Sequence, residues 1–130
     1  MKKRTPEMLE HGIKHLDLLA SDNNKSKAVE VYSECRKLEP KFLPSPVFLL
    51  KLAGWLNEAG KTKEAVGMYN RLVKAYPKNH LAPKAYFRAA QIINDRLMNP
   101  EKARKILNSL ISKYPDNEIV PHVKNYIANM

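Results

Sequence analysis

The residue types that could do chemistry are few and thinly spread over these 130 residues. Lys84 and Arg88 stand four apart, which on a helix is one turn, so together they can contact one carboxylate or phosphate. Their plain alternative is a pair of solvated surface charges. His11 and His15 share that spacing and could fill two positions on a metal, but no third ligand stands at useful spacing, and exposed surface histidines are the simpler reading. His80 and His122 lie beside connection prolines, where turn roles suffice. The single cysteine, Cys35, excludes an internal disulfide and falls at an inward position, so it reads as core. No Gly-rich phosphate loop, paired catalytic carboxylates or Ser/His/Asp pattern is present; the chain is not expected to be an enzyme, and no metal or cofactor is implied.

Helices must position these groups, because one apolar pattern recurs three times. Counting from Ala65, apolar residues fall at offsets 3, 4, 7, 8 and 11 (Met68, Tyr69, Leu72, Val73, Tyr76), and Pro77 follows at offset 12. From Ala103 the same offsets give Ile106, Leu107, Leu110, Ile111 and Tyr114, then Pro115. From Ala28 they give Val31, Tyr32 and Cys35, then Pro40, with Arg36 and Glu39 at offsets 8 and 11. A second proline stands six residues beyond the first each time, at Pro46, Pro83 and Pro121. Periods of 37 and 38 residues are the signature of a helical solenoid.

Local signals divide the chain into seven helices. The first is expected over about 6–20, capped by Thr5 with Glu7 in its first turn and Met8, Leu9, Ile13, Leu16, Leu19 and Ala20 on its apolar face. Asn23 suits a left-handed turn into a second helix over 25–38. Ser45 caps a third over 46–59, ended by Gly60, and Thr62 is the expected cap of the fourth. The fifth, over 82–97, turns Ala85, Tyr86, Ala89, Ala90 and Ile93 inward, where small residues allow close helix approach. Asn99 caps the sixth, and a short seventh over 121–129 covers the open end of the stack.

Length and composition fit one domain, residues 1–130. Net charge is +10, and it is uneven: residues 1–60 carry 10 Lys/Arg against 8 Asp/Glu, whereas 61–130 carry 13 against 5. The basic half favours acidic partners, although dispersed lysines on a solvated surface explain it equally simply. The N-terminus has no apolar core of a secretory signal and no apolar stretch is long enough to span a bilayer. Lys2-Lys3-Arg4 would suit the cytoplasmic edge of a preceding membrane helix, so a cytoplasmic domain tethered to an inner membrane is one expectation and a periplasmic one the other.

Leu52-Ala53, Leu56, Gly60, Ala65, Tyr69, Leu72 and Pro77 resemble the tetratricopeptide repeat, including its twelve-residue Ala-to-Pro spacing. Tyr86, Ala89, Ala90, Ile93, Ala103, Leu107, Leu110 and Pro115 repeat the match, and Leu19, Asn23, Ala28, Tyr32, Cys35 and Pro40 follow it more loosely. The long links between repeats look like those of bacterial envelope members, such as the periplasmic protein that works with the Tol-Pal system, and of repeat tails on bacterial membrane proteins. The resemblance implies an all-α right-handed solenoid of three hairpins (about 6–40, 46–77 and 82–115) with a C-terminal capping helix, acting as a non-catalytic protein-binding scaffold. It also implies a concave groove lined by first helices, here Leu50, Gly54 and Asn57 with Lys84, Phe87, Arg88, Gln91 and Asn94. Lys84 and Arg88 match the last two members of a five-residue carboxylate clamp, but Ile13, Asp17 and Lys51 stand where its other members should be. Trp55 and Phe87 are the aromatic contact candidates, with core packing as the alternative for each. Nucleic-acid or anionic-membrane binding by the basic half is the alternative function, and self-association through the repeats fits the same pattern.

Overall fold

A computed structural model describes residues 6–130, with side chains from residue 11 onward. The expected cap Thr5 lies outside the described residues, as do the side chains of Glu7, Met8 and Leu9. Seven helices follow in order: α1 (Pro6–Ser21), α2 (Lys25–Leu38), α3 (Pro46–Glu58), α4 (Thr62–Ala75), α5 (Ala82–Asp95), α6 (Pro100–Lys113) and α7 (Val120–Ala128). No strand occurs among the described residues, and no described helix is long and apolar enough to cross a membrane. The architecture is an all-helical repeat solenoid.

Each hairpin turns through one left-handed residue. Asn23 (φ 56°), Gly60 (φ 82°) and Met98 (φ 53°) occupy that place in the three copies. In the first two copies a pair of backbone bonds closes the helix end: Asn24 N–H to the Leu19 carbonyl with Asn23 N–H to Ala20, and Lys61 N–H to Leu56 with Gly60 N–H to Asn57. Met98 has no sequence preference for this backbone, so the third left-handed residue is invisible in the pattern; its side chain is 78% exposed and contributes little packing. The residue after the turn caps the next helix. Asn24 Oδ1 accepts from Lys27 N–H and Asn99 Oδ1 from Lys102 N–H, but Lys61 holds the equivalent place in the second copy and has no acceptor to offer. Thr62, the expected cap, is instead the first residue of α4.

The links repeat as well. Asn79 and Asn117 each accept a backbone N–H two residues on, from Leu81 at 2.9 Å and Ile119 at 3.0 Å, which folds the link tightly into α5 and α7. In the first link Phe42 stands at that place and is buried beside Tyr32, with ring centroids 6.4 Å apart. Ser45 then caps α3, accepting from Phe48 N–H at 3.2 Å while donating to Asp17 Oδ1 at 2.5 Å, which ties the start of α3 to α1.

Side-chain size decides how closely the hairpins stack. Ala85, Ala89 and Ala90 of α5 are fully or nearly fully buried against α4, and these two helices approach closely along their length. The corresponding residues of α3 are Phe48, Leu52 and Ala53, all buried, and α2 makes far fewer close backbone approaches to α3. The bulk of Phe48 and Leu52 fills the space that backbone takes in the next junction. A separate apolar cluster results, in which Tyr32, Phe42 and Phe48 meet Leu16, Ala20, Ala28 and Leu52, distinct from the larger core running from Leu49 to Val123.

Tyr76 and Tyr114, at offset 11 of their copies, brace the repeats by donating to link carbonyls, Tyr76 to Pro44 at 2.8 Å and Tyr114 to Pro77 at 2.5 Å. Burial pushes both phenols above the ordinary tyrosine range. The folded state therefore holds these protons more tightly than the unfolded chain, so their contribution is complete below pH 10 and is lost as pH rises above it. Denaturant titrations should show stability declining above pH 10, less steeply in a Tyr76→Phe variant that is already about 1 kcal/mol weaker at neutral pH. Two adjacent substitutions should act in opposite directions. Gly60→Ala would lose about 1 kcal/mol from backbone strain alone, since nothing lies within 4 Å of the added methyl. Lys61→Asn would gain about 1 kcal/mol by restoring the cap that Asn24 and Asn99 supply, read from urea midpoints.

Candidate functional site

Across α3, α4 and α5 lies an open cavity of about 420 Å³. Gly54 and Asn57 of α3 form one wall, Arg88 and Gln91 of α5 the other, and Tyr69 of α4 reaches it from below. The space beside Gly54 is open, since a Cβ there would meet nothing within 4 Å. The Oδ1 of Asn57 is buried without a hydrogen-bond partner, the one side-chain polar atom so placed among the described residues. A buried acceptor of this kind is costly until a donor reaches it. Glu58 and Asp95 share the rim with Arg88 and Arg96, so charge there is mixed and not basic.

Of the groove residues expected from the sequence, Gly54, Asn57, Arg88 and Gln91 line this cavity together. Leu50 is half-buried against the main core. Lys84 lines a different cavity of about 500 Å³ with His80, His122 and Glu118, so Lys84 and Arg88 face separate spaces. The turns thus bring the two connection histidines to one place, which their positions in sequence do not reveal. Phe87 and Asn94 are engaged by α7: the Phe87 and Tyr126 rings meet edge to face at 5.6 Å, and Asn94 Nδ2 donates to Tyr126 Oη at 3.1 Å. Tyr126 Oη in turn donates to Asp95 Oδ1 at 3.0 Å, and burial raises its pKa above the usual value. The capping helix therefore covers one end of the α5 face.

Trp55 is half-buried, edge-on to Phe48 with centroids 6.1 Å apart, and packs on the first-hairpin cluster. Cys35 packs on the same cluster, 3.2 Å from where a Cβ on Gly12 would lie. His11 and His15 are exposed. Among the described residues no group of three or more His, Cys, Asp or Glu could hold a metal ion. Glu58, Tyr69, Asp95 and Arg96 were absent from the sequence reading of the groove; Tyr69 is legible only as a core position, and the others sit at helix ends whose facing depends on hairpin geometry.

Stacked helical hairpins with an open trough across their first helices define a class of protein: the repeat scaffold. The chain belongs to the tetratricopeptide repeat family, whose model matches residues 48–79 and 84–117, about half of the sequence. These segments correspond to the α3–α4 and α5–α6 hairpins. A comparison with curated proteins finds no match. Repeats of this family generally mediate protein–protein interaction and are typically non-catalytic. Because Gly54 lies inside α3 beside open space, Gly54→Ala should raise stability by about 0.5–1 kcal/mol, measured by urea unfolding; a loss would mean that the space above Gly54 is filled.

Proposed function

We propose that this protein is a non-catalytic scaffold that captures an extended partner segment in the trough between α3 and α5. The observation that carries this reading is the trough itself, an open cavity of about 420 Å³ lined by Gly54, Asn57, Arg88 and Gln91. An extended peptide presents N–H donors and carbonyl acceptors at regular intervals, and Gln91 and Arg88 on the trough wall offer donors to its carbonyls. Shape and hydrogen bonding then supply affinity at the trough itself, where charges are mixed, and the +8 half of the chain biases encounter toward acidic partners. The resemblance of its long inter-repeat links to those of bacterial envelope members supports an envelope-associated role for this scaffold, either tethered at the cytoplasmic face of the inner membrane or in the periplasm.

Peptides selected from a random display library against the whole chain test this directly. Binding of the selected peptides should fall by at least about tenfold in Gly54→Phe, which fills the trough, and in Asn57→Leu, which removes the unpaired acceptor while leaving stability equal or higher. Affinities should change little with salt. A steep log-linear loss with rising salt, or equal binding by both variants, would instead favour phosphate-backbone or anionic-surface binding by the basic half.

A further inference from the structure

A third cleft, of about 710 Å³, opens between α2 and α4, on elements that take no part in the α3–α5 trough apart from α4. Its charged lining is Arg36, Lys41, Arg71 and Lys74, with no carboxylate. Two of these groups are held in place. Arg36 Nη1 and Arg71 Nη1 each donate to Tyr32 Oη at 2.9 Å, so both guanidiniums gather on one oxygen, and Arg71 Nη2 also donates to the Phe42 carbonyl. Tyr32 Oη offers its own proton to the Met68 sulfur at 3.7 Å, a weak acceptor. Among the described residues the ion pairs are Lys25 with Glu58 and Lys27 with Glu30, both elsewhere. Glu39 accepts from Lys41 N–H, and Glu64 lines the adjoining cavity with Arg36 without forming an ion pair.

Arg36 is the more telling because of where it stands. Offset 8 holds Val73 and Ile111 in the other two copies, so a half-buried guanidinium here replaces an apolar core position. Two positive forks at close quarters repel, and partial burial raises the cost of each uncompensated charge. An arrangement of this kind is relieved by an anion from outside, and forks fixed in advance suit the planar or tetrahedral oxygens of an oxyanion.

We propose that the α2–α4 cleft binds a phosphomonoester carried on a partner peptide. Four cations without a lining carboxylate suit a dianion better than one carboxylate. Leu43, Met68 and Ala75 line the same cleft and give apolar contact for residues flanking the phosphate. No aromatic side chain lines the cleft, and Tyr32 is buried beside the adjoining cavity, so there is no platform for stacking bases, which disfavours a nucleic-acid strand.

The test is fluorescence anisotropy of the full chain with a labelled peptide pool carrying one fixed phosphoserine between randomised flanks, beside the same pool carrying serine. The phosphorylated pool should bind at least about tenfold more tightly. Arg36→Val, which copies the apolar residue of the second repeat, should erase that difference with the helical circular-dichroism signal retained, and Arg36→Lys, keeping charge without the fork, should weaken it several-fold. Gly54→Phe should leave it unchanged, which separates this cleft from the α3–α5 trough. Equal binding of the two pools, an undiminished difference in Arg36→Val, or tighter binding of a single-stranded oligonucleotide would each overturn the proposal. Displacement of the pool by inorganic phosphate at the pool's own concentration would do so too, since the peptide would then add nothing.

Discussion

Side-chain volume at the junction between hairpins governs this molecule. Where α4 meets α5, alanines at 85, 89 and 90 let one helix settle against the next, and the main core runs unbroken from the second hairpin to the capping helix. Where α2 meets α3, Phe48 and Leu52 hold the backbones apart, and the first hairpin is joined by aromatic side chains, by the Asp17–Ser45 bond and by Arg71 bridging Tyr32 to Phe42. Dispersion and apolar burial still operate at that junction, but through long side chains instead of close helix contact. The separation leaves room for a cleft between α2 and α4, and the family-model matches begin at residue 48, beyond the first hairpin.

Most of the fold was legible because its signals are local. The apolar period, the prolines at fixed spacing, and Ser45, Asn99, Asn23 and Gly60 each act within a few residues of themselves, and the helices lie where those signals put them. Thr62 was misread as a cap because the choice between it and Lys61 depends on the left-handed turn at Gly60, which brings the chain into helix one residue earlier. Met98 adopts the same turn without any preference that could announce it.

The trough was less legible. Asn57, Arg88 and Gln91 converge because helical phase alone places them on first-helix faces. Lys84 parts from Arg88 because the tight Asn79 and Asn117 turns build a separate pocket around it, and Phe87 and Asn94 are taken up by Tyr126, more than thirty residues away in sequence. Contacts of that range carry no local signature. Arg36 was visible as an exception to the repeat, yet its meeting with Arg71 over Tyr32 emerges only when the hairpins are stacked.

Charge and shape are thus divided between two faces, with mixed charge in the trough and four cations without a lining carboxylate in the cleft. The cleft depends on the first hairpin being held at a distance by Phe48 and Leu52. Native-state hydrogen exchange, resolved by helix, tests that dependence most directly. Amides of α2 should exchange through openings of clearly lower free energy than those of α4, α5 and α6, and Leu52→Ala should change α2 while leaving α6 as it was. Uniform protection from α2 to α6 would contradict the account, because it would mean that the first hairpin is packed into the stack as tightly as the others.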